Sequence, residues 1–242
     1  MSLRNLGLSL ALAVGAAAAI GPAGMTASAD IIITEIWQRG SGSTTPDWFE
    51  ITNTGPGTVD PSTLYYDDDS ADPTENARLE GITSLAPGES AVYLVSWHDD
   101  FPGGFGPPIE DFNPADALAA FNSFWGVNGA YQVGYIRDPD TGGGAGLSGG
   151  GDQVHIFSSN LDEGGANEVD AQTYTGTNTS GQTWTLNPYT GVLEHSVLGV
   201  RAAFQSVNGA QTGSPGIYVP EPTSLAMLVL GMAVVALRRR GR

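Results

Sequence analysis

Apolar and polar positions alternate in short stretches through the middle of this chain, and apolar residues run on unbroken only near its two ends. Asp30-Ile31-Ile32-Ile33-Thr34-Glu35-Ile36-Trp37 is dominated by β-branched side chains. Trp48-Phe49-Glu50-Ile51-Thr52 follows a Gly/Ser/Thr stretch and stops at Asn53-Thr54-Gly55. Ser90 to Trp97 starts after the turn Ala86-Pro87-Gly88. Branched and aromatic side chains fit a pleated, half-buried surface, and Gly, Pro and Asn punctuate turns, so these segments read as strands. Tyr131 to Ile136, Gln153 to Phe157, Val169 to Thr175 and Val197 to Phe204 read the same way. Asp116 to Trp125 breaks the pattern. Its Leu118, Phe121, Phe124 and Trp125 fall near helical spacing, and Pro114 just before it is a start signal. This helix lies inside a long insertion from His98 to about Gly150. Strict alternation places Ile31, Ile33 and Glu35 on one face of the first strand and Ile32, Thr34 and Ile36 on the other. That leaves the side taken by Glu35 open and suggests an edge or rim position. Many short strands with Gly/Pro turns and one helix predict an all-β domain, a sandwich or barrel.

The two long apolar runs belong to neither pattern. Near the N-terminus, Arg4 precedes an apolar stretch from Leu6 to Ile20, and Ala27-Ser28-Ala29 is a small-x-small site. A cationic start, an apolar middle and such a site make a secretory signal peptide over residues 1–29, with Ala27 and Ala29 flanking the cut and Asp30 opening the mature chain. Near the C-terminus, Val219-Pro220-Glu221-Pro222 is followed by an apolar run from Leu225 to Leu237 and then by Arg238, Arg239, Arg240 and Arg242. The uninterrupted run makes roughly 20 Å of helix at ~1.5 Å per residue, against a hydrocarbon core about 30 Å thick. Counted as residues 224–237, it is a short span. The arginines resist translocation and hold its end on the cytoplasmic side, which leaves the preceding domain outside. The two prolines stop a helix from propagating backwards. An ordinary C-terminal membrane anchor is one reading of this tail. The combination of Pro-Glu-Pro, short span and terminal Arg cluster resembles the PEP-CTERM sorting signal of bacterial proteins. That resemblance implies an exosortase and the export machinery as partners. It also implies a transient stay in the inner membrane, then a place at the cell surface or in the extracellular matrix.

Charge narrows the partners. Formal net charge is −17, and no lysine or cysteine occurs anywhere. Between residues 30 and 219 the cations are Arg39, Arg78, Arg137 and Arg201, against twenty-five carboxylates, a formal −21. So acidic a surface repels nucleic acid, whose binding depends on cationic neutralisation. It suits solubility, a salty habitat or divalent cations. Without cysteine the exported domain has no disulfides, and packing, sheet hydrogen bonds or bound ions must hold it.

Within residues 30–218, one domain by length, a series of motifs follows in order. These are Ile32-Ile33-Thr34-Glu35-Ile36, then Trp48 to Gly55 with Val59-Asp60, and Leu85-Ala86-Pro87-Gly88-Glu89 running into Ser90 to Val95. Leu147-Ser148-Gly149-Gly150-Gly151-Asp152-Gln153-Val154, Val169-Asp170 and Gly213-Ser214-Pro215-Gly216 complete them. The series resembles the lamin-tail domain, an immunoglobulin-like β-sandwich. Thr63-Leu64 stands where that family usually has Gly-Trp. The resemblance implies a structural or binding module with no shared catalytic residues, and hence a protein that is not an enzyme.

Candidate chemistry is sparse. Gly146-Leu147-Ser148-Gly149-Gly150 fits the Gly-x-Ser-x-Gly of hydrolases, with Asp170 and His195 following in the right order, but the elbow needs a strand before the Ser and a helix after it. Here Gly-rich chain precedes it and a strand follows. A secreted hydrolase of polysaccharide or ester is the alternative this pattern keeps open. Asp67, Asp69 and Asp72, and Asp138 with Asp140, are acidic clusters whose oxygens suit calcium, although neither has the closing Glu of an EF-hand. They keep open a calcium-dependent surface adhesin. No other cofactor is implied. Trp37, Trp48, Trp97, Trp125 and Trp184 are the residue type that stacks on sugar rings, and a surface polysaccharide is a candidate partner; the competing role is core packing.

Overall fold

The computed structural model describes residues 31–38, 47–68, 76–95, 114–126, 131–137, 147–159, 167–176 and 181–219. Twelve strands and one helix follow one another along them: β1 (Ile31–Trp37), β2 (Asp47–Asn53), β3 (Tyr65–Asp67), β4 (Ala77–Glu80), β5 (Ser90–Val95), α1 (Pro114–Trp125), β6 (Gln132–Arg137), β7 (Gly151–Phe157), β8 (Glu168–Thr175), β9 (Trp184–Asn187), β10 (Val192–His195), β11 (Phe204–Gln205) and β12 (Thr212–Gly213). The expected all-β sandwich with a single short helix is what forms. Ten strands make one hydrogen-bonded sheet in the order β10-β9-β1-β2-β5-β6-β4-β3-β7-β8, and β11 and β12 pair separately.

The sheet folds over on itself. The β5–β6 pair is parallel, while every other strand pair is antiparallel. Parallel neighbours need a crossover, and α1 lies within it. On one side of this joint stand β10, β9, β1, β2 and β5; on the other stand β6, β4, β3, β7 and β8. β8, at the far end, comes back against β1 and β10, and the Ile33 amide donates to Asp170 Oδ2 at 2.6 Å. The main core fills the space between the halves. Ile33, Ile36, Phe49, Ile51 and Tyr93 come from one side, and Tyr66, Leu79, Ile136, Val154 and Ile156 from the other. Phe49 stacks between Tyr66 and Tyr93, at 5.1 and 5.8 Å between ring centroids.

Period-2 alternation sends the other residues of β2 and β5 to the outer face. There Trp48, Val92 and Leu94 meet Phe121 and Trp125 of α1, with Trp37, Tyr131 and Val133, in a second apolar cluster. Trp48 meets Phe121 and Trp125 edge-on at 5.6 and 6.1 Å. The helix thus lies outside the sheets, covering part of one outer face.

Two turn motifs explain how β2 is anchored. Asn53 Oδ1 accepts from the Gly55 amide in an Asx turn, and its Nδ2 donates to the carbonyls of Gly57 and Leu85. The Gly88 amide donates to the Asn53 carbonyl at 2.7 Å, so the two turns read separately in the sequence close on one another. One expected strand fails to form. Val197–Ala202 is a pair of tight turns closed by the Gly199, Val200 and Ala203 amides, with Arg201 and Ala202 at positive φ. Val197, Leu198 and Val200 are exposed there. Strand pairing resumes only at Phe204.

Candidate functional site

The part of this outer face that α1 leaves uncovered carries two acidic residues side by side. The β1–β2 register runs from Ile33 opposite Ile51 directly to Glu35 opposite Glu50. Thr34 is therefore the extra residue of a β-bulge. The bulge lets both Ile33 and Ile36 point into the main core while Glu35 joins Glu50 on the outer face. Neither carboxylate is at an edge or rim: β1 lies between β9 and β2, and Glu35 and Glu50 are 0% and 1% exposed. Strict alternation does not hold at Glu35 because the bulge at Thr34 breaks the period of two.

What covers them is the last stretch of described chain. The Ser214 amide donates to Glu35 Oε1 at 2.8 Å, and the Ser214 hydroxyl donates to Oε2 at 3.3 Å. The Gly216 amide donates to Glu50 Oε2. Hydroxyls complete both shells. Thr183 and Thr185 donate to Glu35 Oε1 and also bond Ser196. Thr34 donates to Glu50 Oε1 at 2.5 Å, and Thr34, Thr52 and Ser90 continue as a chain of hydroxyls at 3.0 and 2.7 Å. The glycines of this segment are required by close approach. A Cβ on Gly213 would stand 2.5 Å from Glu35 Oε1 and 2.8 Å from Thr183, and Gly216, at φ +78°, would drive one into the Tyr131 ring.

Removing two like charges from water favours the neutral form of each. Burial pushes Glu35 up to about 7, opposed by the bonds from Thr183, Ser214 and Thr185. Burial and the neighbouring Glu35 push Glu50 up to about 8. Tyr131 is also raised, by burial and by Glu50. A carboxyl pair that titrates near neutrality has the proton affinity of a general acid–base pair, but this one is sealed beneath residues 213–216. Both carboxyls accept from the backbone of that segment, at Ser214 and Gly216.

The other sequence candidates are dispersed. Ser148 stands in the turn that enters β7, so a strand follows it and the strand–turn–helix of a nucleophile elbow is not built. Its Oγ accepts from the Gly150 amide, its carbonyl accepts from Tyr174, and its amide donates to Asp152. Asp170 is engaged with β1, as above. His195 stacks on Trp184 at 3.8 Å between centroids, and burial lowers its pKa. Asp67 ends β3, is fully buried and belongs to a strand rather than an open loop. Asp69, Asp72, Asp138 and Asp140 lie outside the described residues. Among the described residues, no three His, Asp or Glu side chains are grouped to hold a metal. Trp37, Trp48, Trp125 and Trp184 are buried, and Trp97 lies outside the described residues. A depression of about 530 Å³ beside α1 is lined, among the described residues, by Ala119, Asn122, Ser123 and Gly126.

Val219, 44% exposed, is the last described residue. Pro220, Glu221, Pro222, the apolar run 224–237 and Arg238, Arg239 and Arg240 lie outside the described residues, as do Ala27, Ala29 and Asp30 at the other end. Among the described residues no helix is long and apolar enough to cross a membrane.

No curated protein matches the chain in sequence. A solved structure, that of a DUF4876 family protein from Bacteroides thetaiotaomicron, superposes with a TM-score of 0.37 at 11% identity, over 81% of this chain and 73% of that one. At the C-terminus the match is specific: residues 219–240 fit the family model of the PEP-CTERM protein-sorting motif, the mark of an exported protein sorted by an exosortase through a membrane-anchored intermediate.

Proposed function

We propose that this chain is a non-enzymatic cell-surface or extracellular-matrix protein. It is a β-sandwich module delivered through the inner membrane and cut by an exosortase near Pro220-Glu221-Pro222. The observation that carries the reading is an adjacency. Tyr218 still packs against the main core, and the sorting motif begins at the next residue, Val219. A cut at the motif leaves the fold whole, which suits a protein whose product is the domain itself.

The non-enzymatic role is supported by the state of the ionisable groups. The raised carboxyl pair is covered by backbone, and Ser148 belongs to a turn. The resemblance of the motif series to the lamin-tail domain, a family of structural and binding modules, points the same way. The acidic surface favours a neutral partner such as surface polysaccharide over nucleic acid.

Glu221→Ala with both prolines kept separates recognition of the side chain from the extended backbone that prolines impose. In the native host, intact mass of the wild type should show a chain shortened at the tail, and the variant should accumulate as a longer, membrane-bound precursor. Equal, membrane-retained masses for both proteins would make the tail a permanent anchor and sink the proposal.

A further inference from the structure

The segment that covers the two carboxylates is also the segment that leads into the sorting motif. From Gly213 to Tyr218 the chain is held residue by residue. Ser214 and Gly216 donate to Glu35 and Glu50, the Ile217 amide donates to the Ser214 carbonyl at 2.9 Å, and Tyr218 packs on the core. Only Val219 separates this docked stretch from Pro220. A protease needs an extended run of chain on both sides of the bond it cuts, and residues packed in a fold become available only when that part opens. We propose that Glu35 and Glu50 form a catch that holds residues 213–218 on the sheet and so restrains cutting at Pro220-Glu221-Pro222. Opening of the catch is the step that exposes the chain before the motif. The proposal rests on reading residues 219–240 as a sorting signal.

The catch responds to protons. Glu35 faces it from β1 and Glu50 from β2, and the Tyr131 phenol lies beside Gly216 from the chain entering β6. The remaining groups turned toward the pair are hydroxyls, of Thr34 on β1, Thr52 on β2, Ser90 on β5, Thr185 on β9, and Thr183, Ser196 and Ser214 on the adjoining chain. Among the described residues these hydrogen bonds bring no arginine or histidine to the pair. With the segment docked, the carboxyls hold protons that they would lose in water. Opening therefore becomes easier as pH rises through the range in which the buried pair ionises. In Glu50→Gln the amide oxygen accepts from the Gly216 amide and its NH2 donates to Thr34, with the hydroxyl chain through Thr52 and Ser90 reversed. That variant copies the protonated state of Glu50 and removes its half of the pH response, leaving that of Glu35. Gly216→Ala acts from the other side: its Cβ meets the Tyr131 ring, and it displaces the segment without touching either carboxylate.

Tyr218 makes the state of the catch measurable in the full-length chain in detergent, because chymotrypsin cuts after an accessible tyrosine. Cutting after Tyr218 is followed by intact mass from pH 6 to 8.5, scaled to a free peptide of residues 213–222. The wild-type rate should rise more than about tenfold over this range, since each unit of pKa shift corresponds to a factor of ten. Glu50→Gln, in which Glu35 alone still titrates, should rise much less than the wild type, and Gly216→Ala should stay at the high rate. All three should keep the same far-ultraviolet circular dichroism. In the native host, pulse-chase should show Gly216→Ala losing its tail several-fold faster than the wild type. Should Glu50→Gln lose its fold, the wild-type pH profile and Gly216→Ala still decide. The catch is overturned if wild-type cutting after Tyr218 is flat with pH, or if Gly216→Ala frees Tyr218 yet is sorted at the wild-type rate. Equal, membrane-retained masses of wild type and Glu221→Ala would instead overturn the sorting reading, and the chymotrypsin profile would then judge the catch alone.

Discussion

Thr34 has no residue opposite it on β2, and that one extra position decides where two carboxylates go. In an unbroken ladder Glu35 would share a face with Ile33 and oppose the main core; the bulge turns it toward Glu50 instead. The energetic sign follows from burial. In the fold both carboxyls keep protons at a pH where the unfolded chain has released them, so their stabilisation is complete below the usual glutamate pKa. It is lost as pH climbs through about 7 and about 8. His195, lowered by burial, works in the opposite sense, and its contribution is complete once pH exceeds the usual histidine value. Thermal unfolding followed by circular dichroism at fixed ionic strength should show the Tm falling by at least about 5 °C between pH 5.5 and 8.5. Glu50→Gln should flatten most of that slope, and an equal slope in the variant would show that the pair does not set it. None of this was legible from composition. One Thr and one Glu in each of β1 and β2 were visible, but pairing them needs the register, and register is a property of two strands together.

Elements with a strong, uniform signal were legible, and elements defined by their neighbours were not. The Ile-rich β1, the aromatic β2 and the turn-bounded β5 form within a residue or two of their expected ends. The helix also stands where its apolar spacing placed it. β3 and β4 are three and four residues long and carry too few positions to show a period. β9 and β10 are four residues each, hidden in a Thr-rich stretch. Val197 to Phe204 shows the converse error: branched side chains without a neighbouring strand to pair with make turns. The helix earns its place through one contact zone. Phe121 and Trp125 both meet Trp48 edge-on, and Trp125 also meets Phe204 at 5.6 Å. Trp125→Ala should cost about 3–5 kcal/mol, read as a fall in the urea midpoint. A midpoint within experimental error of the wild type would mean that the helix rests on the sheet without stabilising it.

At the scale of the molecule, charge and connectivity set the behaviour. A chain of formal net charge −17 repels itself, and added salt screens exposed charges over about 10 Å at 0.1 M. Raising NaCl from about 20 to 300 mM should therefore lift the Tm by a few degrees. Calcium chloride at matched ionic strength should lift it equally. A larger rise with calcium, reversed by chelator, would point to the clusters Asp67, Asp69 and Asp72 or Asp138 and Asp140. Connectivity has a different consequence. β1 is an interior strand, yet its two neighbours come from opposite ends of the domain: Ile36 lies opposite Phe49 on one side and Trp184 on the other. A chain that crosses a membrane N-terminus first presents β1 and β2 early and β9 only after β8. Through most of that passage β1 has one open flank, the kind of edge on which chains aggregate, and closing it demands a contact distant in sequence, which forms slowly. Whatever escorts this protein outward must guard that flank until the final quarter of the domain has followed.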